Sequence, residues 1–150
     1  MRSMASGVTV ITTCCDGRIH GMTATAFSSV SADPPSVLVV LNKATRTHAL
    51  VRAARHFAVH LLAEHQMDLS HRFSSKQDTP FDGVAHALSA RGLPLLSGVV
   101  AALECSTLQE IDVGTHTIFI GQVLQGARSD HAPLVYHEGS YKSLSTALPG

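Results

Sequence analysis

Tryptophan is absent from the 150 residues and aromatics amount to only 5% of them, so apolar content rests mainly on aliphatic side chains. Charge of either sign is never in excess: 11 basic and 11 acidic residues leave a formal net charge of zero. Such a chain has no broad positive field with which to gather phosphates along a nucleic acid, and no nucleic-acid partner is expected. No apolar run approaches the roughly 18 residues that a membrane-spanning helix needs, so no membrane association is expected. The start "MRSMASGVTVITT" lacks the basic stretch, apolar core and small-residue cleavage site of a secretory signal, which points to the cytoplasm. Cysteine is scarce too. Cys14, Cys15 and Cys105 are odd in number and two are adjacent, a poor disulfide framework without C-x-x-C spacing. Cys14 and Cys105 read as small buried apolar residues.

What is present is a chain long enough for one domain spanning 1–150, with a core that needs no staples. Its first third alternates like an antiparallel sheet: Val8 to Cys14, a turn at Asp16-Gly17, then "RIHGMTATAF" running to Phe27. Asp33-Pro34-Pro35 breaks the ladder, and "SVLVVLN" to Asn42 is an apolar run suited to a strand buried on both faces. "THALVRAAR" predicts a short helix with Thr47 as N-cap and Leu50, Val51 and Ala54 on its inner face. A strand over His56 to Ala63 follows, then a helix with Met67, Leu69 or Ser70, and Phe73 inward. Residues Ser74 to Leu96, rich in Gly, Ser, Pro and Asp, read as a long surface loop. Strands return over Val99 to Ile111, His116 to Ala127, and in "PLVYHEGSYKSL". Sequential antiparallel strands with two short helices predict a mainly β chain, a small barrel with Greek-key or meander connections.

Several chemistries lack their motifs. No G-x-S-x-G elbow, G-x-G-x-x-G turn or Walker loop occurs. His56 and His60 match H-x3-H, but on a strand they stand about 13 Å apart, too far to hold one ion, so no metal is expected. Histidines 48, 65, 71, 86 and 131 lie in polar contexts and read as surface residues. Two stretches are less easily dismissed. In "GMTATAF" the small residues Thr23, Ala24, Thr25 and Ala26 form a low wall where Val, Ile or Phe would fill a core. In "NKATRTH", Asn42 to His48, a buried strand runs into cations and hydroxyls just before a helix. That is either an anion site or ordinary capping with solvated charge. His116 follows a tight turn and opens an apolar strand, a place equally suited to a structural histidine. Tyr136, His137 and Tyr141 gather in one late segment that packing would also explain.

Taken in order, "SGVTVITT", "DGRIHGMTATAFSSVSADPPSVLVVLN", "HFAVHLLAEHQ", "RFSSK", "FDGV", "GLPLL", "LEC", "HTIFIGQV" and "PLVYHEGSY" cover nearly the whole chain. Together they resemble the short-chain flavin reductase family, the reductase components of two-component flavin monooxygenases. The resemblance implies an FMN-binding split β-barrel with Greek-key connections and short flanking helices, usually a homodimer. It implies reduction of FMN or FAD by NADH or NADPH, with reduced flavin passed to a separate monooxygenase. Related barrels bind flavin or haem without fast turnover, so a carrier or sensor is the alternative. By the same resemblance Thr23, Ala24, Thr25 and Ala26 would line the flavin ring, and Leu41 and Asn42 the ring and ribityl chain. Thr45, Arg46 and Thr47 would take the phosphate, and Phe73, Ser74, Ser75 and Lys76 form a second phosphate-side segment. His116, Tyr136, His137 and Tyr141 would lie on the nicotinamide side, with His116 the catalytic candidate that orients that ring. Where the family commonly carries serines this chain has Thr25, Ala26 and Ala44.

Overall fold

The computed structural model describes residues 2–150. Strand β1 (Ser6–Gly7) leads into the hairpin of β2 (Thr9–Cys15) and β3 (Arg18–Ala24). Its turn is Asp16-Gly17, both at positive φ, as a two-residue hairpin turn requires. Next come β4 (Phe27–Ala32) and β5 (Pro35–Asn42), joined through Asp33-Pro34, then α1 (Arg46–Ala54) and β6 (His56–Leu61). A 3-10 turn (Glu64–Gln66) leads into α2 (Met67–Ser74), followed by the short hairpin of β7 (His86–Leu88) and β8 (Pro94–Leu96). The long pair β9 (Ala101–Val113) and β10 (His116–Arg128) precedes β11 (Val135–His137) and β12 (Ser140–Lys142).

Seven strands form one antiparallel sheet in the order β3-β2-β6-β9-β10-β5-β4. Its two edges, β3 and β4, are consecutive in sequence and separated only by Thr25 and Ala26. Laid flat, six interstrand gaps of about 4.8 Å would hold the edges roughly 29 Å apart. The three-residue step from Ala24 to Phe27 reaches at most about 11 Å. The sheet therefore has to curl until its edges meet, and Thr25-Ala26 spans the seam. This is the split barrel, reached through the Greek-key crossovers that set β6 beside β2 and β5 beside β10.

One face of the curled sheet encloses Ile11, Val39, Leu41, Phe57, Val59, Cys105 and Phe119, with Val51 of α1 added. Gly121 lets this core close, because a Cβ there would lie 2.6 Å from the Phe57 ring. The other face carries Val8, Val10, Leu62, Phe73, Phe81, Leu96 and Leu134. The segment 74–96 is thus no free surface loop: Phe81, Leu93 and Leu96 are buried, β7 pairs with β8, and Arg72 donates to the Pro80 and Asp82 carbonyls.

Other expectations are corrected in detail. The first long strand ends at Ala24, not Phe27, because the seam interrupts it. The N-cap of α1 is Thr45, extended at φ −89° and ψ 149°, whose Oγ accepts from the His48 amide; Thr47 is buried in the first turn. Leu38 and Val40 of β5 are half-buried, so only one face of that strand is sealed. Met67 is 43% exposed, and α2 turns Ser70 and Phe73 inward. Cys105 is buried, but Cys14 only half so. His48 is buried rather than a surface residue, held by Thr117 and edge-on to Phe119.

His60 is wholly buried in strand β6, donating from Nδ1 to the Val10 carbonyl while Nε2 has no partner among the described residues. Burial lowers its pKa to about 4, only partly offset by that hydrogen bond. The unfolded chain, with a histidine near 6.5, takes up this proton first as pH falls. His60 therefore stabilises the fold fully above pH 6.5, and the contribution is lost progressively down to about pH 4, amounting to about 3 kcal/mol. Urea unfolding at pH 7 and pH 4.5 checks this: a His60→Gln variant loses less stability between the two than the native chain.

Candidate functional site

A cleft opens beside the seam, in two lobes that share Met22 and Thr23. The larger lobe, about 550 Å³, lies between the edge strand β3, the start of α1 and the segment leaving α2. The smaller, about 310 Å³, lies between Ala24, Thr25 and Ala26 on one side and Val40, Asn42 and His116 on the other. Small side chains are what leave the second lobe open. Phe27 and Val40 donate to the Thr25 and Ala26 carbonyls, while the Thr25 and Ala26 amides stand outside both ladders.

The larger lobe is the polar one. Thr45, Arg46, Thr47, Phe73, Ser74, Ser75 and Lys76 all line it, so two segments 30 residues apart in sequence converge. Most of the hydroxyls, however, are engaged within the protein. Thr45 Oγ donates to the Asn42 carbonyl at 2.8 Å as well as capping α1. Ser74 and Ser75 donate to the Ser70 and Arg72 carbonyls at the end of α2. His20 Nε2 lies 3.0 Å from the Gln77 carbonyl and can only donate to it, so in the neutral ring Nδ1 accepts from Thr47 Oγ at 2.8 Å. What this lobe presents is the Arg46 and Thr47 amides at the start of α1, which have no intrahelical acceptor, and the cations Arg46 and Lys76. Lys76 has no ion-pair partner among the described residues, whereas Arg46 pairs with Asp78 at 2.9 Å.

The smaller lobe holds the remaining ring-side candidates. Thr23 shares both lobes, yet its hydroxyl donates to the Ser70 carbonyl at 2.7 Å and fastens β3 to α2. Ala24 is also part of the enclosed core. Asn42 uses Oδ1 to accept from the Ala44 amide, which leaves its NH₂ unengaged among the described residues. His116 sits across the β10–β5 ladder from Asn42, with Nδ1 2.8 Å from Thr115 Oγ. Its strand is braced from behind. Thr117 donates to Asp112, which also receives Arg52 at 2.7 Å, and His48 Nε2 donates to Thr117 at 2.7 Å. The Thr117 hydroxyl and then the Arg52 guanidinium hold the Asp112 carboxyl below its usual pKa, while burial and then Arg52 depress that of His48.

Leu41 and the late aromatic segment depart from expectation. Leu41 is fully buried among Val39, Phe57 and Phe119, because the β alternation that exposes Asn42 turns Leu41 inward, and it lines neither lobe. Tyr136, His137 and Tyr141 also line neither lobe. The β11–β12 hairpin pairs with β1 behind α2, where Tyr141 Oη meets Ser70 Oγ at 2.6 Å and His137 donates to the Ser3 carbonyl. Conversely, His20, Gly21, Met22, Gln77, Asp78 and Val40 line the cleft without having been named as site residues. Gln77 and Asp78 extend "FSSK" directly and were reachable by continuity; His20 gave no such signal.

Comparison with known proteins places these features in a family. A family model described as a flavin reductase like domain matches residues 1–145. The reductase component of the flavin-dependent trigonelline monooxygenase of Acinetobacter baylyi is 41% identical over 93% of this chain, which spans 45% of that protein. The FMN reductase (NADH) of Agrobacterium fabrum is 38% identical over 95% of this chain and 82% of its own. Among solved structures, the NADH:FAD oxidoreductase of Streptomyces globisporus superposes with a TM-score of 0.93 at 32% identity, covering 98% of this chain and 90% of that one. The chain thus spans less than half of the first curated relative and about four fifths of the second.

Because the Thr45 hydroxyl is committed to the cap, its loss acts on the helix itself. Thr45→Ala costs about 1 kcal/mol of stability, read as a shift in the urea midpoint, whether or not any ligand is present.

Proposed function

Since this chain belongs to the flavin reductase-like domain family, we propose that it is an NAD(P)H-dependent flavin reductase that takes FMN or FAD into the two-lobed cleft. It would hand the reduced flavin to a separate monooxygenase. The observation that carries the reading is the division of the cleft: a lobe with Arg46, Lys76 and the Arg46 and Thr47 amides opens directly into a flat lobe walled by the small residues Thr25 and Ala26. A molecule with a phosphate at one end and a planar ring at the other would meet cations in one lobe and small side chains in the other. Bound flavin would supply the redox chemistry, accepting a hydride from the reduced nicotinamide. The protein's part is to hold and polarise. Thr25 and Ala26 offer amide donors at the ring edge, Asn42 offers its NH₂ to the ribityl side, and Lys76 and Arg46 hold the phosphate. His116, on the open side of the flat lobe, orients the nicotinamide. No nucleophile or paired carboxylate is needed for that transfer.

The domain is read as one flavin reductase-like unit over 1–150, acting in the cytoplasm; no helix among the described residues is long and apolar enough to cross a membrane. A homodimer is part of the proposal. The outer face of β5, β10 and β9 sets Val40 beside Ile118, Ile118 beside Ile111 and Leu38 beside Ile120, all incompletely buried, with Val113 58% exposed at the tip. This apolar face runs up to His116, so a second copy seated there would stand at the mouth of the flat lobe. It would also offer a route for Tyr136, His137 and Tyr141, which lie outside their own chain's cleft, to approach nicotinamide from a neighbour.

Flavin-dependent loss of reduced-nicotinamide absorbance tests the activity. Turnover with added FMN or FAD is the expected result; flavin binding without turnover would instead support a carrier or sensor. Lys76→Ala raises the Kd for FMN roughly 5- to 30-fold and leaves that for riboflavin, which lacks the phosphate, unchanged. Ile118→Asp shifts the sedimentation profile from dimer to monomer, since a charge on a closed apolar face has no partner there.

A further inference from the structure

Asp78 is the one carboxylate among the residues lining the larger lobe, and it lies on the guanidinium that the phosphate reading assigns to the ligand. Arg46 belongs to the first turn of α1 and Asp78 to the segment leaving α2, so their 2.9 Å pair crosses the cleft from wall to wall. A carboxylate and a phosphate use the same planar fork of donors, and a guanidinium filled by one is not free for the other. The pair is weak by position, its side chains being 56% and 84% exposed, so a phosphate dianion can displace it. Displacement does not carry the carboxylate away. The preceding residue is tied down, because His20 donates to the Gln77 carbonyl at 3.0 Å. A negative charge therefore stays beside any phosphate that takes Arg46.

We propose that Asp78 is a built-in competitor for Arg46 that weakens the hold on the flavin phosphate and so favours release of the flavin. The inference rests on the flavin reading of the cleft and adds to it a residue that sets affinity through the phosphate alone. A reductase that passes its product to another protein has to let go of it, and an internal anion at the phosphate seat lowers affinity without altering the ring-binding lobe.

Quenching of flavin fluorescence gives the Kd for FMN and for riboflavin with the native chain, Asp78→Asn and Asp82→Asn. Asp82 is exposed and lines neither lobe, so it controls for net charge. Asp78→Asn is expected to tighten FMN roughly 3- to 10-fold, leave riboflavin within twofold, and lose part of its advantage at high salt; Asp82→Asn changes neither. If FMN and riboflavin bind the native chain and Asp78→Asn binds FMN no more tightly, the competitor role is overturned while the flavin reading stands. Equal tightening of FMN and riboflavin overturns it as well. Failure of the native chain to bind either flavin overturns the reading of the cleft and this inference with it.

Discussion

The architecture depends on one short connection. Thr25 and Ala26 join the two outermost strands of a seven-stranded sheet, and no flat arrangement lets two residues do so. Curling the sheet to bring its edges together makes a single interior for Phe57, Phe119, Leu41 and Val39. The seam left where the edges meet is imperfect, since β3 ends before β4 begins and the connecting amides belong to neither ladder. A barrel closed by full strand pairing would have no unpaired donors there. The cleft thus arises from the device that closes the core, and small side chains at the seam leave it open.

Polar groups around the cleft divide into two sets with different work. Hydroxyls of Thr23, Thr45, Ser74 and Ser75 face inward to carbonyls, fastening β3 to α2, capping α1 and finishing α2. Backbone polar groups left unsatisfied at those helix ends would cost about 1–3 kcal/mol each, which these hydroxyls avoid. Without such structural partners among the described residues are the seam amides, the Arg46 and Thr47 amides and the Lys76 ammonium. Alanines at positions 26 and 44 border the cleft without closing off the backbone and cationic donors beside them.

Much of this was legible in the sequence, for identifiable reasons. Asp16-Gly17 between β-rich runs marks a hairpin because only left-handed backbone closes such a turn, and the structure places both residues at positive φ. The ordered stretches from "SGVTV" to "PLVYHEGSY" carried the family and with it the split barrel. The convergence of "TRT" and "FSSK" on one lobe also followed from that resemblance. The misreadings share a cause: the relevant partner lies far away in sequence. His48 looks solvated beside Arg46 and Lys43, yet its ring is taken inside by Thr117, 69 residues on. Thr47 and Thr45 are equally good caps in isolation, and His20 decides between them by engaging Thr47. Phe81, Leu93 and Leu96 sit in a stretch without periodicity, so only tertiary packing reveals that the stretch is anchored.

The position of Tyr141 shows how the late hairpin still bears on the cleft. Its hydroxyl meets Ser70 Oγ, the Ser70 carbonyl accepts from Thr23 and from Ser74, and those two residues border the larger lobe. Ser70 is buried, so the chain of contacts from β12 through α2 to β3 runs through a residue with no freedom to rearrange alone. The β11–β12 hairpin is thus linked through Ser70 to Thr23, on the wall shared by both lobes. Within one chain this is a positioning connection rather than a ligand contact. The carboxy-terminal aromatics thus serve the cleft wall as well as the core, since Tyr141 also packs against the cluster of Val8, Val10 and Phe73.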